Sequence, residues 1–85
     1  MIDREVVGRV IRRQRERKGF SQEVLSGLAA IPRSSFGAVE RGQRGMMLDT
    51  FWKIAEALGM CPSELQVAIE DEMEEEARNE TRRNT

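Results

Sequence analysis

The chain has no histidine, no tyrosine, a single cysteine, two prolines and no long apolar run. Each absence removes a class of function. Without histidine, and with Cys61 alone, an ordinary zinc site lacks its ligands and no internal disulfide can form, so stability must come from packing. No stretch approaches the length of a membrane span, and none near the N-terminus resembles a signal peptide, so a cytoplasmic protein with no membrane contact is expected. Catalysis is disfavoured too, because no nucleophile stands beside a base and no glycine loop has the pattern that cradles phosphate. No metal and no cofactor are expected.

What is present is charge, unevenly placed. The net charge is -1 over 85 residues, a length that supports one modest core. Residues 1–45 hold 10 Lys+Arg against 5 Asp+Glu, a net of +5, and residues 46–85 hold 4 against 10, a net of -6. Such asymmetry fits a basic binding surface with an acidic appendage, although an ordinary solvated surface can also be lopsided. After Ile69 the chain runs Glu70-Asp71-Glu72-Met73-Glu74-Glu75-Glu76 and then stays polar to Thr85. This stretch has helix propensity and almost nothing to bury, so a domain over 1–69 followed by a frayed helical or disordered tail over 70–85 is expected.

Apolar spacing predicts an all-α fold of five helices, with no strand signals and no internal repeats. Val7, Val10, Ile11 and Gln14 mark a helix over 4–18, crowded with arginine on its other faces and stopped by Gly19. Ser21 suits the N-cap of a helix over 22–29, with Val24, Leu25, Leu28 and Ala29 inward. Pro32 suits the first turn of a helix over 33–41 that ends at Gly42, with Phe36 and Val39 buried. A loop over 42–46 leads to a helix over 48–58, and Pro62 and Ser63 open a fifth from 62 to about 76, where Glu64 can act as a capping-box acid toward Cys61. The expected core is Val10, Ile11, Leu25, Leu28, Phe36, Val39, Phe51, Ile54, Ala55, Leu58 and Leu65.

Two short helices joined by a tight turn, with a basic helix before them, are the local plan of a helix-turn-helix. The run from Gln22 to Gly42, QEVLSGLAAIPRSSFGAVERG, resembles the phage-repressor/Cro (XRE) family of DNA-binding proteins. The resemblance extends upstream through Ile11, Arg12 and Arg15 and downstream through Leu48 to Gly59 and Pro62 to Leu65. It covers about residues 6 to 69. It implies a lambda-repressor-like fold, double-stranded DNA as partner, and transcriptional regulation as a phage-type repressor, a restriction-modification controller or an antitoxin-like autoregulator.

By that resemblance the helix after the turn enters the major groove and Arg33, Ser34 and Ala38 face bases. Arginine can pair in two-pronged fashion with guanine O6 and N7, serine discriminates less, and alanine offers only an apolar surface to a thymine methyl. Arg33 as a solvated or phosphate-bound side chain is the alternative. Gln22, at the start of the second helix, and Arg44, in the loop after the third, match positions that hold the DNA backbone. Arg15 and Glu40 match a structural ion pair joining the first helix to the third.

Three positions depart from the family pattern. Ala30 stands where the turn usually has glycine, Pro32 replaces a hydroxyl cap, and Gly37 sits inside the reading helix at a position commonly polar. Met46, Met47 and Leu48 read as core, and Cys61 as a buried structural thiol. Trp52, Met60, Val67 and Ile69 are the candidates for a homodimer interface, since a two-fold dimer would double the base contacts. The rival reading is a protein-interaction module on the same fold, its acidic tail meeting a basic partner.

Overall fold

The computed structural model describes residues 2–83, which form five α-helices and no strand among the described residues. α1 (Arg4–Arg17) begins where the Asp3 carboxylate accepts the N–H groups of Glu5 and Val6, at 3.0 and 3.3 Å. α2 (Gln22–Ala29) begins where the Ser21 hydroxyl accepts the Val24 N–H at 3.1 Å. α3 (Arg33–Glu40) and α4 (Leu48–Ala57) follow Pro32 and Met47, neither of which supplies a side-chain cap. α5 (Pro62–Arg83) starts at a carboxylate cap, Glu64 accepting the Cys61 N–H at 2.8 Å. That bond holds the Glu64 carboxyl below its ordinary range, and the Cys61 thiol, hydrogen-bonded to the same carboxylate, is pushed up. Cys61 is exposed and not a buried structural thiol as expected. Its neighbour disfavours the reactive thiolate.

The turn between α2 and α3 keeps a left-handed residue although the glycine is gone. Ala30 has φ 57 and ψ 43, while its N–H donates to the Gly27 carbonyl at 3.1 Å and the Ile31 N–H donates to the Ser26 carbonyl at 3.0 Å. Left-handed alanine costs roughly 1 to 2 kcal/mol. Two orphan helix carbonyls gain partners in exchange, and Ile31 packs against the core.

α1 packs on α3 and α5, α2 on α3 and α4, and α4 on α5. At the centre lie Val6, Val10, Ile11, Leu25, Phe36, Ile54, Leu58 and Leu65, with Val7, Ala29, Val39, Ala55 and Ile69 completing the buried cluster. Two expected core residues differ. Leu28 is 59% exposed and Val24, also expected inward, 48%, because Leu25, Ser26 and Ala29 define the inward face of α2 and both side chains lie roughly 100° or more from its centre. Phe51 is half-buried at the edge of the cluster. Met46 packs against the core, but Met47 and Leu48 are exposed where the loop gives way to α4, so the expectation that all three are core does not hold.

The acidic segment takes the helical one of the two expected forms. α5 runs without interruption through 69 and 70 to Arg83. Leu65, Ile69 and Met73 recur at four-residue spacing and pack on the core, and Glu72 and Glu76 face α1. Arg13 lies 3.3 Å from Glu72 and Arg9 lies 3.2 Å from Glu76. Residues 84 and 85 of the expected tail lie outside the described residues.

Candidate nucleic-acid interface

α1 and α3 touch backbone to backbone, which sets where the rest of α3 can point. A β-carbon on Gly8 would stand 2.5 Å from the Val39 carbonyl oxygen and closer still to that of Glu40. Only glycine allows that approach. Beside it the Arg15 guanidinium grips Glu40 with two bonds, Nε to Oε2 at 2.7 Å and Nη2 to Oε1 at 3.1 Å, and its Nη1 donates to the Phe20 carbonyl at 2.8 Å. The Glu40 side chain is 2% exposed. Hydrogen bonding to Glu40 raises the Arg15 pKa further, against the desolvation that burial imposes. No buried side-chain nitrogen or oxygen among the described residues lacks a partner.

Gln22 joins this pair, its Nε2 donating to Glu40 Oε1 at 2.8 Å. The start of α2 is thereby tied to the end of α3. The resemblance implies a DNA-backbone role for Gln22; in the fold one of its two amide protons is engaged internally and one remains. Ahead of the brace, Arg33 and Ser34 are exposed on the first turn of α3, with Ala38 half-buried one turn on. Arg33 has neither an ion-pair nor a side-chain hydrogen-bond partner among the described residues. Arg44 Nη1 donates to the Ser35 hydroxyl at 3.1 Å, so the loop cation is drawn back onto α3. Arg33, Ser34, Ala38, Gln22 and Arg44 thus all belong to α3, the start of α2 or the loop behind them.

The candidate dimer residues are more scattered in burial. Trp52 is 50% and Val67 53% exposed, while Met60 is partly covered by the core. Ile69 is corrected: at 7% exposed it is packed inside its own chain and offers little to a second copy. Gly8, Met73 and Arg41 went unassigned in the sequence. For Met73 the signal was its place four residues after Ile69; for Gly8 it was a glycine in the middle of a helical stripe.

A short helix, a tight turn, and a second helix whose first turn is open while its far end is braced define a helix-turn-helix domain. The chain belongs to the helix-turn-helix family: the helix-turn-helix domain family matches residues 6–68. A curated relative, the uncharacterized HTH-type transcriptional regulator y4dJ of Sinorhizobium fredii, is 32% identical over 62 residues, 73% of this chain and 80% of the relative. The crystal structure of the restriction-modification controller protein C.AhdI from Aeromonas hydrophila is similar with a TM-score of 0.72 and 44% identity, covering 74% of this chain and 96% of that one. The controller protein C.Esp1396I, crystallised as a tetramer with its natural 35 base-pair operator, shares the fold at a TM-score of 0.77 and 22% identity, covering 85% of this chain and 95% of that one. No described helix is long and apolar enough to cross a membrane.

Proposed function

We propose that this chain is a sequence-specific, duplex-DNA-binding transcriptional regulator of the restriction-modification controller kind, cytoplasmic, which reads the major groove with α3. The observation that carries the reading is the first turn of α3. Arg33 and Ser34 stand there exposed, and Arg33 has no partner among the described residues, on a helix braced from behind by Arg15, Glu40 and Gln22. Arg33 reads guanine through O6 and N7, Ser34 adds a less selective hydrogen bond, and Ala38 meets a thymine methyl. Gln22, with its free amide proton, and Arg44 hold the DNA backbone. The 44% identity to C.AhdI supports the controller role.

One such helix reads only a few base pairs, so the functional unit is a homodimer in which Trp52 and Val67, with the edge of Met60, meet a second copy. Half-sites then lie about one helical turn, roughly 34 Å, apart. Because Glu72 and Glu76 face α1, the acidic helix keeps Glu70, Asp71 and Glu74 for a basic protein partner. Selection of bound sequences from random duplex DNA, followed by mobility shifts in a salt series, tests the reading. A two-fold-symmetric motif with binding that weakens steeply as salt rises is expected. A folded protein that enriches no motif would overturn it and favour the protein-interaction module.

A further inference from the structure

The loop between α3 and α4 does not close onto the domain. It borders a groove of about 590 Å³, walled by the turn before α3, one flank of α3, the loop itself and the starts of α1 and α4. Small-molecule sites commonly have this size. Ile31, Val39, Met46 and Met47 give the groove apolar walls, while Arg4 and Arg44 stand at it as cations and no carboxylate lines it. Gly45 makes room for one of them. Its φ lies outside the left-handed region, so its backbone does not demand glycine, yet a β-carbon there would press on the Arg4 guanidinium, 3.3 Å from Nε. Neither cation is answered by an opposite charge. Arg4 has no ion-pair or hydrogen-bond partner among the described residues, and Arg44 is held there through Nη1 alone, by the Ser35 hydroxyl at 3.1 Å.

Resting on the DNA-binding reading above, we propose that this groove is an effector site for a small aromatic carboxylate, whose binding takes Arg44 from the DNA backbone and weakens the hold on the duplex. The ligand class follows from the walls. A carboxylate matches a guanidinium through two parallel hydrogen bonds, and two guanidinium groups border the groove with no acidic residue to compete. An aromatic body suits the rest, because methionine thioethers adapt to irregular shapes and favour ring edges, and arginine stacks on ring faces. A DNA phosphate would use the cations and leave the apolar walls unfilled. The groove also lies away from the reading surface: Ser35 and Val39 stand on the order of 140° around α3 from the centre of Arg33, Ser34 and Ala38. A ligand seated there leaves the reading turn open and acts on DNA through Arg44.

The test uses the full chain with naphthoate as the probe, and naphthamide and inorganic phosphate beside it. Without DNA, naphthoate should shift the backbone amide resonances of residues 31–35 and 43–50 saturably. Naphthamide and phosphate should each bind at least roughly tenfold more weakly, since one lacks the charge and the other the apolar body. Arg4→Gln and Arg44→Gln should each weaken naphthoate binding by roughly tenfold, with the urea midpoint unchanged because both side chains are exposed. Gly45→Val, which crowds Arg4, should weaken it too. With the selected duplex, saturating naphthoate should lower affinity about as far as Arg44→Gln does, and should add nothing to that variant. No saturable shift in a wild type that still binds its duplex, or phosphate or naphthamide binding as well as naphthoate, overturns the site. Naphthoate bound in the groove with duplex affinity unchanged overturns the effector role. A wild type that binds naphthoate but no duplex sinks the DNA-binding reading and the effector role with it, and leaves the carboxylate site supported.

Discussion

Arg9, Arg13 and Arg15 on α1 each face a carboxylate, at Glu76, Glu72 and Glu40, whereas Arg33, Arg41 and Arg44 on and behind α3 face none among the described residues. The side-chain type is the same in both regions and the surroundings differ. On α1 much of the positive charge is answered within the chain, by α5 at the surface and by α3 in the interior. Around α3 it is left for something outside. A chain of net charge -1 can therefore still offer unanswered cations around α3 to a polyanion, because much of its acidic charge lies on α5, where Glu72 and Glu76 face α1.

The sharpest way to break this division is to remove the internal partner with the most at stake. Glu40→Ala strands the buried Arg15 guanidinium and releases Gln22, and should destabilise the fold by about 3 to 5 kcal/mol in urea unfolding. DNA binding would fall with it, but as a consequence of unfolding. Arg33→Ala probes the opposite region, where no internal partner is lost. It should leave the urea midpoint almost unchanged while costing about 1 to 3 kcal/mol of affinity and relaxing preference at one base pair in selection experiments. A changed midpoint with an unchanged motif would reverse the roles assigned to Glu40 and Arg33.

Ala30→Gly tests the turn that sets α3 against α2. Relief of the left-handed alanine should stabilise by roughly 1 kcal/mol, partly offset by the greater freedom of glycine in the unfolded chain, and a thermal melt should register the rise. Glu72→Gln with Glu76→Gln has the smallest expected effect. These pairs, one exposed and one half-buried, contribute about 1 kcal/mol, and most of the difference from wild type should vanish at high salt. Non-specific DNA affinity of the double variant should increase, since Arg9 and Arg13 are released. A large loss of stability would mean that these pairs, more than the packing of Leu65, Ile69 and Met73, hold α5 on α1.

Much of the fold was legible because helix geometry is a local matter. Ser21, Pro32 and the carboxylate of Glu64 mark helix starts that the structure keeps, and the apolar spacing of Ile11, Leu25, Phe36 and Ile54 reports the inward face wherever a helix has one clear stripe. Leu28 shows the limit. Three- and four-residue spacings both count as one face in a sequence, and only the neighbouring helices decide which side of an eight-residue helix is covered. Arg41 shows another, since the direction of a long side chain depends on the gap left by Gly37 and the oxygen of Gln43.

By itself, then, the sequence determined five helices, the tight turn before Arg33, and a basic half followed by an acidic one, because propensity, capping and periodicity act between residues a few positions apart. Tertiary structure alone decided that the acidic helix is anchored, that Ile69 is buried in the core, and that Gln22 is tethered to Glu40. Those outcomes rest on contacts between Arg13 and Glu72, Arg9 and Glu76, and Gln22 and Glu40, groups far apart along the chain. Charge and hydrogen bonding act through space, and no periodicity in a sequence records which distant groups the packing of α1, α3 and α5 will bring within reach.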